Sequence, residues 1–363
     1  MPSPRARVLA VTSACLLAVT KIHAQQPTGG VVVTSGAAEL RIGGRIQTQF
    51  ATSTVDSVPA TGFELRRLRL EATVRFNDVV SGKIQPDFAP GNHVVMKDAW
   101  MKIALDPAFI LLAGQAFRPF SLITCTTSTR ILPIERGLRI RGVAGAFDEY
   151  DVVSALGYSE RDVGLQVLGA PKGAPLGLSY QAGFFNGPAR ERARDRNTYQ
   201  LAARASVSPV KDLRVGGAWS SIDFVRTAAD PAATVDVRRG SAWEADVEYG
   251  AYERPGVHLV GEAAYGDFQP FTGTRFFGVQ GWLAYRTPRL GGKIQAAEPL
   301  LRASYADADV NDRAGANPGG LLLTPGVNLY LGGLNRVQLN WDFWNPLEGD
   351  SHNSFKTQFQ VAF

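Results

Sequence analysis

Two adjacent arginines, Arg66 and Arg67, lie in the stretch "FELRRLRLEATVRF", residues 63–76, which carries six charged side chains among fourteen residues. A guanidinium group is planar, always charged and able to bind phosphate or carboxylate oxygens through two parallel hydrogen bonds. Two such groups that point into the same water-filled space form a site for an anion. The sequence around them must therefore provide an element that turns both side chains to one side.

The alternation of residue types changes phase at this pair. From Arg67 onward the odd positions are polar and the even ones apolar, whereas Phe63 and Leu65 are apolar before it. Uninterrupted alternation would place Arg66 on the apolar face, at a cost of about 2 to 4 kcal/mol in the middle of a membrane. We therefore predict a bulge or a strand end at Arg66 and Arg67, which lets both guanidinium groups turn inward.

Other segments show the same two-residue period. Apolar and polar residues alternate through 196–207, 336–344 and 355–363, as in strands that have one apolar and one polar face. A sandwich of two sheets would show this alternation too, with its apolar faces turned inward. The pattern alone therefore leaves both architectures open.

Three further features favour a transmembrane β-barrel over a secreted sandwich or propeller. The polar faces carry rows of Arg, Gln, Asn and Asp, and aromatic residues recur near the ends of the apolar faces, as in an aromatic girdle. Short turns at 76–80, 105–109 and 208–213 alternate with longer polar stretches at 225–241 and 306–320. The chain also ends on Phe363, after an amphipathic strand that is typical of outer-membrane barrels.

The first 24 residues are predicted to be a secretory signal peptide. Arg5 and Arg7 precede an apolar stretch from Val8 to Val19, and Ala24 provides a small residue for cleavage. The predicted mature domain, 25–363, has no apolar run long enough for a transmembrane helix. Because every backbone polar group in lipid must be paired within the protein, a closed barrel is the remaining way to cross. At about 10 residues per strand plus a connection, the domain accommodates about 16 antiparallel strands.

Charge and cysteine content exclude other classes. The signal peptide carries three basic residues and no acidic one, so its removal lowers the formal net charge from +5 to +2. This small excess argues against a nucleic-acid-binding protein. Only Cys125 remains in the mature chain, so no internal disulfide can form.

The sequence resembles the phosphate-selective porins (porin O/P) of Gram-negative outer membranes. The resemblance covers most of the mature chain and runs through "IGGRIQTQF", "FELRRLRLEATVRFNDVVSGKIQPDF", "VMKDAWMKI", "LLAGQAFRPFSL", "TTSTRILPIERGL", "SYQAGFFNGP", "LAARASVSPV" and "PGVNLYLGGLNRVQLNWDF". It implies a trimeric barrel of 16 strands that passes phosphate-like anions.

The resemblance also implies residues of the constriction. The family's arginine after Gly-Gly matches Arg45, its arginine pair matches Arg66 and Arg67, and the arginine of "ER" matches Arg136. These arginines are expected to bind the anion as a cluster of three or four positive charges, and Asp98 of "KDA" is expected to tune that charge. The family's lysine falls at about Thr124, a neutral residue, so the match leaves selectivity for phosphate itself open.

The segment from Gln115 to Glu135 lacks clear alternation and contains Arg118 and Arg130 together with Pro119 and Pro133. A loop of this length without secondary structure is usually functional or disordered, and its composition is not that of a disordered chain. We predict that it folds into the barrel and narrows it, as the resemblance implies, with Arg118 and Arg130 near the constriction. The alternative is a loop on the outer surface.

Catalytic chemistry and cofactors are not predicted. The mature histidines His93, His258 and His352 are scattered without metal-ligand spacing. The "DADVND" stretch, 307–312, has Asp312 where a calcium loop needs glycine. The arginine-rich stretch 189–196 could attract anions or bind lipopolysaccharide phosphates, but its own Glu191 and Asp195 favour a solvated loop.

These observations predict an outer-membrane channel that lets inorganic phosphate or similar small anions diffuse through an arginine-lined constriction. Its expected partners are the permeating anion, outer-membrane lipid with lipopolysaccharide and, by resemblance, two further copies of the chain in a homotrimer. A general or sugar-type diffusion porin is the main alternative. A structural barrel and an outer-membrane hydrolase are weaker alternatives. The hydrolase stays open because catalytic triads are recognised by geometry rather than by their order in the sequence.

Overall fold

The structure is a computed structural model of the chain. It describes residues 30–36, 38–55, 61–89, 91, 93–139, 141, 149–187, 198–226, 236–250, 252–310 and 317–363. The predicted signal peptide, 1–24, and the arginine-rich stretch 189–196 lie outside the described residues, so both predictions about them remain predictions.

Antiparallel strands make up most of the chain. They are β1 Val31–Ser35, β2 Ala38–Ser53, β3 Gly62–Arg75, β4 Val80–Asp87, β5 Val95–Asp106, β6 Phe109–Phe117, β7 Arg161–Gly169, β8 Ser179–Phe185, β9 Gln200–Val210, β10 Leu213–Arg226, β11 Asp236–Tyr249, β12 Gly256–Gln269, β13 Thr274–Arg286, β14 Ala296–Asp307, β15 Gly320–Gly332, β16 Asn335–Pro346 and β17 His352–Ala362. Two short helices, α1 Leu122–Cys125 and α2 Glu149–Ala155, lie between β6 and β7. A single turn of 3-10 helix covers Pro175–Gly177.

The strands from β2 to β17 close into a barrel of sixteen, because each pairs with its neighbour in the chain and β17 pairs with β2. This confirms the predicted all-β barrel and its strand number. The additional strand β1 pairs with residues 38–42 of β2, whereas β17 pairs with residues 45–53 of the same strand. The barrel therefore has no free edge along most of β2, as the bilayer requires.

The chain end takes part in this closure. The backbone groups of Gly44 and Phe363 exchange hydrogen bonds of 2.8 and 3.1 Å. A Cβ atom at Gly44 would lie 2.8 Å from the ring of Phe363 and 2.5 Å from the carbonyl oxygen of Arg69. Glycine is needed at this position because two neighbouring strands and the terminal ring approach its backbone closely.

The outer wall is apolar, as the alternation predicts. Large apolar side chains with high exposure occur around the barrel, among them Leu70, Trp243, Leu283, Trp341 and Phe359. The predicted short turns lie between β3 and β4, β5 and β6, and β9 and β10. Among the described residues, no helix is both long and apolar enough to cross a membrane.

The predicted bulge is present in β3. Gln47 pairs with Arg67, and the next residue, Thr48, pairs with Leu65, which leaves Arg66 as the extra residue. The apolar residues on both sides of the bulge, including Phe63, Leu65 and Leu70, consequently face outward. The reversal of phase that the sequence shows at Arg66 thus has the physical cause that we predicted.

The described residues between β6 and β7, which are 118–139, 141 and 149–160, fold into the barrel, and we call them the inner loop. It brings a hydrophobic core inside the barrel, where Leu122, Ile123, Ile131 and Leu132 pack against inward side chains of β12–β14 such as Trp282. A second cluster joins Val152, Val153 and Tyr158 of the loop to the inner wall. The predicted inward position is confirmed, but β6 extends to Phe117, so the loop begins after the predicted Gln115.

Candidate functional site at the junction of the inner loop and the barrel wall

Inward side chains of β14–β17 and β2 bind the backbone of the inner loop. Their donors and the loop carbonyl oxygens that accept are Gln47 to Ser128 at 3.1 Å, Gln360 to Thr129 at 3.1 Å, Arg336 to Ile131 at 2.6 Å, Gln338 to Leu132 at 2.9 Å and Arg302 to Glu135 at 3.0 Å. Along the loop from Ser128 to Glu135, the donors come first from β2, then from β17 and β16, and last from β14. Much of the polar inner face therefore holds the loop in place.

The loop segment 127–136 meets β2 and β3 at a set of ion pairs that we call the junction. Glu135 is its only described carboxylate on the loop side, and Arg66 binds it through Nε at 2.7 Å and through Nη2 at 3.2 Å. Arg67 Nη2 donates to the same carboxylate at 3.1 Å, and Gln49 adds a fourth hydrogen bond at 2.9 Å. Burial alone would raise the pKa of Glu135, but the charges of Arg66 and Arg67 hold it well below its usual range.

Arg45 and Arg136 also lie at the junction. Arg45 Nη1 donates to Thr127 Oγ1 at 2.7 Å and to Ser128 Oγ at 3.0 Å. Arg136 Nε donates to the carbonyl oxygen of Ile123 at 3.2 Å, and its Nη2 donates to the carbonyl oxygen of Thr126. The structure thus brings together Arg45, Arg66, Arg67 and Arg136, the four arginines that the resemblance implies.

Asp98 lies on the neighbouring wall, at the centre of a second network. Its carboxylate binds Lys83 at 3.1 Å and Arg161 at 2.5 Å. Lys83 also binds Glu71 at 3.0 Å, and Glu71 lies 3.6 Å from Arg45. Asp98 is therefore linked to Arg45 of the junction by three successive salt bridges, through Lys83 and Glu71.

A second bulge presents Lys97 at the same wall. Gln85 pairs with Asp98 and Pro86 pairs with Met96, so Lys97 is the extra residue of β5. Its half-buried ammonium group forms no ion pair with a described carboxylate, whereas the nearby Arg69 binds Asp87 at 2.7 Å. Lys97 thus contributes a positive charge that its neighbours leave uncompensated.

Two predicted site residues lie elsewhere. Arg118 is fully buried at the base of the inner loop, 3.6 Å from Asp162, and donates to the side chain of Gln200. Arg130 binds Glu253 at 3.0 Å, on the turn between β11 and β12. The structure therefore does not bring these two arginines together with the other four, because each is held by its own partners at a separate place on the loop.

Thr124, at the position of the family's lysine, is 1% exposed. It lies in α1, where its backbone N–H donates to Ser121 Oγ at 3.1 Å, and the Ser121 hydroxyl contacts its side-chain oxygen. A neutral hydroxyl suits this buried position, whereas an ammonium group would need a partner there. Thr124 does not present its side chain to open water.

Three of the four arginines of the junction, Arg45, Arg66 and Arg67, lie within salt-bridge distance of an acid, whereas Arg136 donates to loop carbonyls. Together with the neighbouring wall, the described network holds eight cationic side chains and five carboxylates, an excess of three positive charges. The cations are Arg45, Arg66, Arg67, Arg69, Lys83, Lys97, Arg136 and Arg161, and the carboxylates are Glu71, Asp87, Asp98, Glu135 and Glu160.

Sequence reasoning missed Glu135, Lys83, Lys97 and Arg161 as members of this site. One signal was available for Lys97, because "KD" at 97–98 interrupts the alternation of β5 as "RR" at 66–67 interrupts that of β3. Within the described part of the chain, no group of three or more His, Cys, Asp and Glu residues could hold a metal ion.

A closed barrel of sixteen strands with an inner loop and a charged inner wall defines a porin, a channel protein of bacterial outer membranes. The chain belongs to the family of phosphate-selective porins O and P, whose model matches residues 40–266. This confirms the resemblance seen in the sequence. The family and the fold are those of a channel rather than of an enzyme.

Solved structures with the same fold include an anion-selective porin from Comamonas acidovorans, with a TM-score of 0.64, 11% identity and coverage of 90% of this chain and 100% of that one. OmpT, an outer membrane protein of Vibrio cholerae, matches with a TM-score of 0.61, 12% identity and coverage of 92% and 99%. Salmonella typhi OmpF in complex with daunomycin matches with a TM-score of 0.60, 12% identity and coverage of 91% and 100%. The comparison with curated proteins found no match.

Proposed function

We propose that this outer-membrane porin favours small anions, inorganic phosphate among them, which diffuse past an arginine-lined constriction at the junction. The observation that carries the proposal is the excess of three positive charges where the inner loop meets β2–β5 and β7. Fixed positive charge in a narrow passage lowers the energy of an anion and raises that of a cation. Release remains fast because most of the cations already have an acidic partner.

Access to the junction is through Arg66. Its side chain remains 24% exposed, whereas the side chain of Arg67 is 3% exposed. An anion that approaches would meet the free edge of Arg66 first, with Lys97 as a further positive charge on the neighbouring wall. A unit charge about 4 Å from the anion contributes about 4 kcal/mol at an effective dielectric constant near 20, before desolvation.

A general diffusion porin is the second candidate, and Glu135 is the observation that favours it. This carboxylate compensates part of the charge of the arginine pair. Phosphate selectivity in the strict sense has less support, because the family's lysine is replaced by the buried Thr124.

Assembly and export complete the proposal. We propose a homotrimer that reaches the outer membrane after removal of residues 1–24 and lies there among lipid and lipopolysaccharide. The family supports this assembly, and a solved form of the similar Vibrio cholerae OmpT is described as a trimer.

Zero-current potentials in a potassium chloride gradient across planar bilayers test the proposal. We expect the sign of an anion-selective channel, because the excess charge of the junction is positive. A potential near zero, or one of cation-selective sign, would refute anion preference and favour the general porin. Adding phosphate to one side then measures whether phosphate blocks the chloride current.

A further inference from the structure

The carboxylate of Glu135 is bound as a free oxyanion would be. Arg66 approaches it edge-on with two nitrogens, at 2.7 and 3.2 Å, and Arg67 donates to one of the same oxygens. Fork-shaped binding of this kind is how a guanidinium group recognises either carboxylate or phosphate. The arginine pair therefore already holds an anion, and that anion is part of the chain.

The inner loop does not depend on this side chain for its position. Six backbone carbonyls between residues 128 and 136 are bound by side chains of β2, β14, β15, β16 and β17, and Arg302 alone binds those of Glu135 and Arg136 at 3.0 and 3.2 Å. The backbone N–H of Ile134 donates to Asn340 at 2.6 Å. The Glu135 carboxylate can therefore lose its charge, or move aside, while the loop backbone stays where it is.

We infer that Glu135 occupies the position in which Arg66 and Arg67 would hold a permeating oxyanion, so that this tethered carboxylate sets how tightly the channel binds anions. The inference rests on the proposed function and deepens it. A permeating phosphate must either displace Glu135 from the exposed edge of Arg66 or share the guanidinium groups with it. Both routes weaken binding and speed release, which a channel requires for flux.

In this scheme Glu135 affects anion binding alone, because it competes with permeating anions for Arg66 and Arg67. Its removal should leave a vacant pair of guanidinium groups that face the lumen through Arg66. Chloride can use them as well, but an oxyanion with several oxygens gains the bidentate hydrogen bonds that Glu135 gives up. Phosphate binding should therefore increase more than chloride conductance changes.

The test is the block of chloride current by inorganic phosphate in single channels of the full-length protein. Glu135→Gln keeps the size and one acceptor oxygen of the side chain but removes its charge. We expect the half-blocking phosphate concentration to fall by about tenfold or more, a change of about 1.4 kcal/mol. Glu64→Gln is the matched control, because Glu64 lies on β3 close to the arginine pair but pairs with the exposed Arg139, at 3.2 Å.

A second variant separates competition from a loosened loop. In Glu135→Gln combined with Arg66→Gln, the vacant guanidinium group is removed, and the half-blocking concentration should return to about the wild-type value. A gain that persists in the double variant would show a wider passage instead and overturn the inference. Equal block by the wild-type, Glu135→Gln and Glu64→Gln channels would overturn it as well.

Gln49→Ala covers the case in which Glu135→Gln does not assemble. Gln49 donates to Glu135 at 2.9 Å without contacting the arginines through that amide, so its loss should free the carboxylate partly and lower the half-blocking concentration about twofold to threefold. An unchanged value in an assembled Gln49→Ala channel would count against the inference.

A cation-selective wild-type channel would refute the proposed function. An anion-selective channel whose phosphate block does not change when Glu135 is replaced would refute this inference alone.

Discussion

Two pairs of inward arginines lie on different strands of the barrel wall, and their partners differ. Arg66 and Arg67 on β3 bind the carboxylate of Glu135, and Arg66 remains partly exposed. Arg302 on β14 and Arg336 on β16 are each 1% exposed and donate to carbonyl oxygens of the inner loop. In the proposed mechanism the first pair exchanges its partner for a permeating anion, whereas the second pair stays bound to the loop backbone.

The difference follows from what surrounds each guanidinium group. Arg302 also binds Thr324 at 2.9 Å and lies 3.4 Å from Asp342, so its charge is compensated without contact to water. A buried charge is tolerated only with such partners, and it then contributes position rather than selectivity. An inward arginine of a porin strand is therefore part of the channel only where the inner loop leaves it accessible.

Removing the charges of the accessible pair should have the largest effect. In Arg66→Gln combined with Arg67→Gln, Glu135 remains as an uncompensated negative charge at the junction. We expect the permeability ratio of anion to cation to fall by more than about tenfold, or about 1.4 kcal/mol, as measured by zero-current potential. Since the strands and the bulge remain, the barrel should still assemble and migrate as a heat-modifiable β-rich species.

A double variant that inserts normally and keeps its anion preference would falsify the assignment of selectivity to this pair. The arginines would then be structural parts of the wall, like Arg302 and Arg336. Arg254→Gln is a suitable control, because its exposed guanidinium group pairs with Asp212 on the turn between β9 and β10.

The buried pair should affect conductance rather than selectivity. In Arg302→Gln combined with Arg336→Gln, the loop loses the donors to Ile131, Glu135 and Arg136. We expect the loop to leave the wall part of the time, raising the mean single-channel conductance roughly twofold with frequent fluctuations between levels. Single-channel recordings in potassium chloride measure both quantities. A tenfold loss of anion preference with steady conductance would erase the distinction between the two pairs.

The sequence predicted the features that depend on one strand at a time. Alternation identified the inward and outward faces, and the change of phase at Arg66 and Arg67 predicted the bulge that β3 contains. These features depend on local chain geometry, because adjacent side chains of a strand must point to opposite faces. Chain length and an outward apolar face then predicted about sixteen strands.

The partners of the inward residues were not predictable in this way. Arg66 and Glu135 are 69 positions apart in the chain, and alternation says which face a residue lies on without saying what lies opposite. The same limit applies to Arg118 and Arg130, which share a loop with Arg136 but bind partners at different places. Even for the family position at Thr124, only the folded loop reveals that the side chain is buried.

Two inward lysines, one on β5 and one on β17, differ in the same way as the two arginine pairs. Lys97, the extra residue of the β5 bulge, forms no ion pair with a described carboxylate. Lys356 on β17 binds Asp342 at 2.6 Å and is almost fully buried. The charge of Lys97 is therefore free to act on permeating ions, whereas that of Lys356 is cancelled by its partner.

Replacing each lysine by glutamine tests this difference. Lys97→Gln removes one of the three excess positive charges, and we expect the anion to cation permeability ratio to fall about twofold to threefold, which corresponds to less than about 1 kcal/mol in a water-filled passage. Lys356→Gln should leave the ratio unchanged within experimental scatter and lower the thermal stability of the barrel instead, because Asp342 then loses its closest cation and keeps the hydrogen bond from Thr324 and the longer contact with Arg302. Zero-current potentials and heat-modifiability of both variants measure these effects. If Lys356→Gln shifted the ratio as much as Lys97→Gln does, the field of the whole barrel, rather than the accessible wall beside the loop, would set the selectivity.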